Sequence, residues 1–418
     1  MKHQSLSSIR GSRKAKRLSV LIAIDVVVWG ILIVGCGGGG AGNPTADLSA
    51  RPLTNSTLVV FGYNDLGMHC INNDFSEICV LPPANNLRAQ VIDRSHGSPE
   101  IVTQGIDVTY SIPGNTTSSN KVNFWKYAKP IFGVDLPNDM GLFGFGLAGK
   151  MQPTTDRDFM AKGIPITQVK DDLTTDYYQL SQINVSMGGQ QMASTQAVVP
   201  VSWEMSCNRC HTGLGSGSSR GVSVAMDILM KHDKLHGTSL VNQKPVLCAK
   251  CHADPALGAA GVNGVSTLSS AMHRSHASRM GSYTGDNACY SCHPGPKTLC
   301  FRDVHKAKGL TCNSCHISMA AVGDSARRPW QDEPRCGSCH NVPKHEYEQP
   351  GVLYRDSVGH NGVKCITCHN SPHAITPTAN ARDNVQAIAI QGYAGTISKC
   401  SVCHSQVPSD PFNHTRGN

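Results

Sequence analysis

Seven copies of Cys-x-x-Cys-His crowd the second half of this 418-residue chain, and nothing else in it constrains the fold as strongly. They are Cys207–Cys210–His211, Cys248–Cys251–His252, Cys289–Cys292–His293, Cys312–Cys315–His316, Cys336–Cys339–His340, Cys365–Cys368–His369 and Cys400–Cys403–His404. Two thiols three positions apart, followed at once by an imidazole, have the spacing of covalent haem attachment. The thiols add to the vinyl groups as thioethers, and the adjacent His supplies a nitrogen to the iron from beneath the ring. Paired cysteines also build zinc sites. Zinc places no demand on the residue after the second Cys, yet His, at 19 of 418 residues, fills that place every time. Seven pairs also do not divide into four-cysteine sites. The expected cofactors are therefore seven c-type haems.

The motifs start 41, 41, 23, 24, 29 and 35 residues apart, too unevenly for a solenoid. So little chain between sites leaves no room for a core of side chains alone. Only 39% of the residues are apolar. Residues 204–418 should thus be short helices and loops wrapped on porphyrin, with little regular sheet.

The second face of each iron decides between a carrier and an enzyme, because iron ligated on both faces shuttles electrons whereas an open face can bind substrate. Beyond the seven motif histidines, the region from 204 onward holds nine more. The favoured distal ligands are His232, His273, His276, His305, His360 and His373, with His236, His345, His414 and His69 in reserve for the seventh. His273 and His276 lie three apart, on one face of a helix, and suit two neighbouring haems. His373 is four residues beyond His369 and should serve a different haem. Met205 or Met319 could replace a histidine at one site. No catalytic constellation, phosphate loop or CxxCK variant stands out.

Residues 1–35 read as a signal peptide: Lys2, Arg10, Arg13, Lys14, Lys16 and Arg17, then the apolar run 18–34. Ile33-Val34-Gly35-Cys36 before a glycine run resembles a lipobox, which makes Cys36 the lipidation site and residues 36–55 a flexible tether. A plain signal peptide and an uncleaved membrane helix are the alternatives. The helix would bury Asp25 at a cost of roughly 2.5–3.5 kcal/mol at the bilayer centre. The leader carries +5 of the formal +8 charge, leaving +3, and no downstream basic run suits nucleic acid.

Residues 56–203 hold β-branched or alternating runs at 57–61, 87–92, 106–112, 122–125, 176–180 and 197–203, separated by turn residues such as Pro113-Gly114-Asn115 and Met187-Gly188-Gly189. The pattern predicts an antiparallel β domain, sandwich-like. Residues 141–149 read as a loop. Cys70 and Cys79 are expected to form a disulfide. Cys300 is left over, either free or bonded to one of those two.

Asn64-Asp65-Leu66-Gly67-Met68-His69-Cys70, Leu81-Pro82-Pro83, Cys289-Tyr-Ser-Cys-His-Pro-Gly-Pro and His369-Asn-Ser-Pro-His373-Ala resemble multihaem outer-membrane or extracellular cytochromes of metal-respiring bacteria, related to the haem-wire cytochromes. The resemblance spans the residues after the leader. It implies a lipoprotein at the outer membrane or cell surface that passes electrons to redox-partner cytochromes, metal oxides or electrodes, and some relatives polymerise into filaments. The rival readings are a reductase with one five-coordinate haem, of the nitrite or hydroxylamine type, and a homopolymeric filament subunit.

Overall fold

The computed structural model describes residues 56–211, 222–281, 283, 285–340, 348–411 and 414. Cys36 and His345 lie outside the described residues, as does the leader.

The first half is built on two sheets. Strands β1 (Leu58–Tyr63), β4 (Leu87–Asp93), β8 (Gln152–Pro153) and β9 (Phe159–Ala161) run in the antiparallel order β1-β4-β9-β8, with β5 (Glu100–Ile101) also on β4. The second sheet has the order β2-β11-β10-β6-β7. It is formed by β2 (His69–Cys70), β6 (Asp107–Ser111), β7 (Ala148–Lys150), β10 (Tyr178–Met187) and β11 (Gln190–Ser202). This sheet is mixed, because β2 joins β11 in parallel. A short strand β3 (Ile78–Cys79) stands apart from both.

One apolar core lies between the two sheets. It takes Leu58, Val60, Leu87 and Val91 from the first and Val108, Ile183, Val185, Val199 and Val201 from the second. In β10 every second residue is buried from Gln179 to Val185, the period-2 pattern of a strand with one face inward. The sheets approach closely at Gly62, where a Cβ would lie 2.4 Å from Ile183 Cδ1.

Two strands are longer than the sequence pattern suggests. The run predicted at 176–180 continues to Met187, and the one at 197–203 begins at Gln190. They form one hairpin, turned by Gly188 and Gly189, both at positive φ. Polar residues on the outward face disguise this extension. The strand predicted at 122–125 is instead the start of α1 (Phe124–Phe132). Phe124, Ala128 and Ile131 repeat at helical spacing and are buried together, and Gly133 closes the helix in the left-handed conformation. Residues 141–147 form loop, with β7 following at once.

After residue 203 the described residues form short helices and one two-residue strand, β12 (Val246–Leu247), parallel to β3. The helices are α2 (Val224–His236), α3 (Leu268–Ala277), α4 (Asp286–Cys289), α5 (Val304–Ala307), α6 (Cys312–His316), α7 (Met319–Val322), α8 (Cys365–His369) and α9 (Val385–Gln391). Among the described residues no helix is long and apolar enough to cross a membrane.

The change of texture at 203/204 is not a gap in space, since the described residues belong to one compact unit. Gln386 Oε1 accepts from Gly62 N at 2.7 Å, Gln90 Oε1 from Thr367 Oγ1 at 2.8 Å, and Asn64 O from Ser371 Oγ at 2.6 Å. Thus β1 and β4 form a floor beneath the helical half.

Candidate functional site

Each Cys-x-x-Cys-His motif folds into one helical turn. Five of the seven histidines donate their backbone N–H to the carbonyl of the first Cys, four residues back, at 2.9–3.1 Å: His211, His252, His293, His340 and His404. The remaining two motifs are α6 and α8 themselves. The tight turn brings both thiols and the imidazole onto one small surface, as the three-residue spacing demands.

Opposite each motif histidine stands a second imidazole. Ring centres are separated by 6.4 Å for His211 and His276, 6.3 Å for His252 and His232, and 5.8 Å for His293 and His273. The other four separations are 6.0 Å for His316 and His373, 6.0 Å for His340 and His305, 6.0 Å for His369 and His414, and 5.9 Å for His404 and His360. With a metal–imidazole bond of about 2.0 Å and about 1.2 Å from nitrogen to ring centre, two rings on opposite faces of one metal sit roughly 6.4 Å apart. The seven separations cluster just at or below that value.

Second contacts fix the ring orientation. His211 Nδ1–H donates to Asp227 at 2.8 Å, and His252 Nδ1–H to the Ser266 carbonyl at 2.8 Å. His273 and His276 donate Nδ1–H to the carbonyls of Ser269 and Met272, each 2.7 Å away and four residues back in α3. His232 Nδ1 meets Thr238 Oγ1 at 2.9 Å. With Nδ1 engaged, Nε2 is left to face the partner ring. Burial, then Arg327 and His276, pushes His273 below the usual imidazole range. Burial, then His414 and His340, takes His369 down to about 4. Neutral imidazole is the form that binds metal.

The motifs and paired rings open on one continuous cavity of about 3550 Å³. All fourteen motif cysteines and all fourteen paired histidines line it. Pockets for drug-sized ligands hold about 300–1,000 Å³, so this space suits several large planar groups. Two polar atoms in its wall, Tyr290 Oη and Thr376 Oγ1, are buried with no hydrogen-bond partner. Buried hydroxyls ordinarily have partners, and a cofactor bearing carboxylates would supply acceptors. Among the described residues no three His, Cys, Asp or Glu side chains converge as a metal-ion site would require. One motif turn and one imidazole pair recur seven times along the wall of this cavity.

All six favoured distal histidines face a motif histidine, and His414 from the reserve faces the seventh. His236 instead contacts His232, with ring centres 4.8 Å apart. His69 is buried, its Nε2 3.0 Å from the Pro82 carbonyl, and burial takes it down to about 4. It serves β2 and the loop that carries Pro82.

The expected Cys70–Cys79 disulfide is not formed, and both are free thiols. Cys70 pairs in β2 with Ser202, whereas Cys79 pairs in β3 with Leu247 of β12, so the two strands hold them apart. Cys300 is free as well. Asp227 was not legible as a site residue. Its one sequence signal is its place five residues before His232 on the same helix. The carbonyl partners leave no signal in side-chain identity.

Comparison with protein-family models, curated proteins and solved structures found no match to this chain.

Proposed function

We propose that this chain is an exported c-type cytochrome that relays electrons through seven covalently held haems, each ligated by two histidines. The observation that carries this reading is the set of seven imidazole pairs, one for every Cys-x-x-Cys-His motif, at ring separations of 5.8–6.4 Å. Haem iron, when bound, supplies a one-electron couple.

The chain's own residues do the rest. The fourteen motif cysteines would tether haem as thioethers. His211, His252, His293, His316, His340, His369 and His404 would each supply one nitrogen to iron, and His276, His232, His273, His373, His305, His414 and His360, in that order, would supply the second. Asp227 and the Ser266, Ser269 and Met272 carbonyls hold the imidazoles in one tautomer. The sheets beneath supply a rigid floor that limits reorganisation during transfer.

A pairing at every motif favours a carrier over a reductase, since no site is left with a single histidine. The lipobox at Cys36 and the resemblance to outer-membrane cytochromes support anchorage at the cell surface, with redox-partner cytochromes or extracellular minerals as acceptors.

Mass spectrometry of the holoprotein should count seven haems, and EPR of the oxidised form should contain low-spin iron alone. Fewer haems, a high-spin signal, or an optical shift with cyanide or nitrite would overturn the seven-site carrier.

A further inference from the structure

We infer that the seven sites are strung in single file in the order Cys248, Cys207, Cys289, Cys312, Cys336, Cys365, Cys400, so that the relay departs from chain order only at its first two members. This rests on the proposed haem attachment. Each site is named here by its first cysteine.

Shared elements fix the links. Helix α2 joins the first two sites: Asp227 holds His211 of the Cys207 site, and His232, five residues on, faces His252 of the Cys248 site. Helix α3 joins the next pair, because His276 faces His211 while His273, one turn earlier, faces His293. Arg209 Nη1 adds a direct tie, donating to Ser291 Oγ at 3.2 Å between the two motifs.

From the Cys289 site to the Cys312 site, Asp286, the first residue of the α4 turn that ends at Cys289, accepts Cys312 N–H at 2.7 Å. Next comes the segment 301–305. Its Arg302 N donates to the carbonyl of His373, distal ligand of the Cys312 site, at 3.0 Å, and its His305 faces His340 of the Cys336 site. Tyr354 ties the Cys336 site to the Cys365 site: its N–H donates to Glu333, three residues before Cys336, and its Oη donates to the carbonyl of Asn370, next to His369, at 2.8 Å. The last link is Ile397, three residues before Cys400, whose N–H bonds the Cys368 carbonyl at 3.1 Å, while Thr396 Oγ1 lies 3.4 Å from His369 Nδ1.

The ends are therefore the Cys248 and Cys400 sites, and electron donor and acceptor should meet the protein there. A chain of sites each touching two others gives one route and no branch. The reversal at the start comes from α2, which carries the clamp for one site and the distal ligand for the other.

Anomalous scattering from crystals of the holoprotein locates each iron. The expected result is a list of nearest neighbours that follows the stated order, with the Cys248 and Cys400 irons having one close neighbour each. A Cys248 iron nearer to that of Cys289 than to that of Cys207, or any iron with three close neighbours, overturns the order. Seven bis-histidine irons in another sequence would sink the order and leave the electron carrier standing. Irons that lack a second histidine, or fewer than seven of them, would sink both.

Discussion

His211 donates its Nδ1–H to Asp227 at 2.8 Å, and Asp227 is itself held by Lys231 Nζ at 2.5 Å. A carboxylate behind a ligating imidazole fixes the ring and makes it the better electron donor to metal. That favours oxidised over reduced iron. Asp227→Asn should therefore keep the Cys207 site low-spin and raise its midpoint potential. The rise should be on the order of tens of mV, where 59 mV is a tenfold change for one electron. A spectroelectrochemical titration that superimposes on the wild-type curve would count against the contact.

His414 lies 6.0 Å from His369, ring centre to ring centre, with an angle of 4° between the ring planes. It stands 45 residues past the His it faces, near the end of the chain. His414→Ala should convert one iron of the seven to high spin, visible by EPR and by an optical shift on adding cyanide. His236→Ala and His69→Ala should leave the spin state alone, since neither ring faces a motif histidine. Low-spin iron throughout in His414→Ala would remove His414 from the ligand set.

The one-turn fold of each Cys-x-x-Cys-His motif was legible because it is written in local spacing. Three residues separate the thiols, the imidazole follows, and one turn of backbone does the rest. The imidazole pairs were legible only as a surplus of histidines. Six could be favoured by position, but His414 could not be told from His236 or His345. That choice depends on tertiary placement that sets His414 beside His369, 45 residues away in sequence. The links between motifs were invisible, because α2 and α3 each carry residues that serve two motifs at once. The strand periods at 57–61 and 87–92 fixed β1 and β4 closely. Aromatic residues at 124 and 125 read equally well as strand, and only Gly133 and the repeat at 128 and 131 make them helix. Cys70 and Cys79 looked paired because they are close in sequence, yet each is claimed by a different strand partner.

Gly62 marks a close approach of the two sheets. A Cβ there would meet Ile183 Cδ1 at 2.4 Å and Ala197 Cβ at 3.0 Å, both in packed strands. Gly62→Ala should cost about 1–3 kcal/mol, the usual range for overpacking. Chemical denaturation of the holoprotein followed by tryptophan fluorescence measures this. Gly188→Ala lies in a hairpin turn with open space around it and φ of +56°, so its smaller cost should come from backbone strain alone. Equal losses at the two positions would argue against tight sheet packing.

Asp156 is held below the ordinary carboxylate range by Arg88, which donates to it at 2.9 Å, and further by Lys364, against a partial opposing effect of burial. Its charged form is thus favoured by folding. The stability this contributes is complete above the unfolded carboxylate value near 3.8 and is lost as pH falls through the lower folded value. Acid titration followed by circular dichroism should show Asp156→Asn less stable than wild type at neutral pH. The difference should shrink toward zero at the acid end. A gap that stays constant down to the acid limb would mean that the carboxylate charge is not what Arg88 responds to.

Arg302 and Asp383 form a two-pronged ion pair, Nε to Oδ2 at 2.6 Å and Nη2 to Oδ1 at 2.8 Å, with both side chains buried. Arg302 also donates to the Cys300 carbonyl at 3.1 Å and stacks over Tyr178, 4.3 Å from the ring centre. The pair thereby pins the segment between the Cys289 and Cys312 motifs to the turn before α9 and to β10. Asp383→Ala leaves a guanidinium without its carboxylate in the interior, which should cost about 3–5 kcal/mol. Replacing both partners, Arg302→Met with Asp383→Leu, removes the stranded charge and should recover most of that loss, because the desolvation cost disappears along with the attraction. Denaturant midpoints of the three holoproteins distinguish the cases. A double variant as unstable as Asp383→Ala would mean that the Arg302 contacts to Tyr178 and the Cys300 carbonyl, rather than its charge pairing, hold this segment in place.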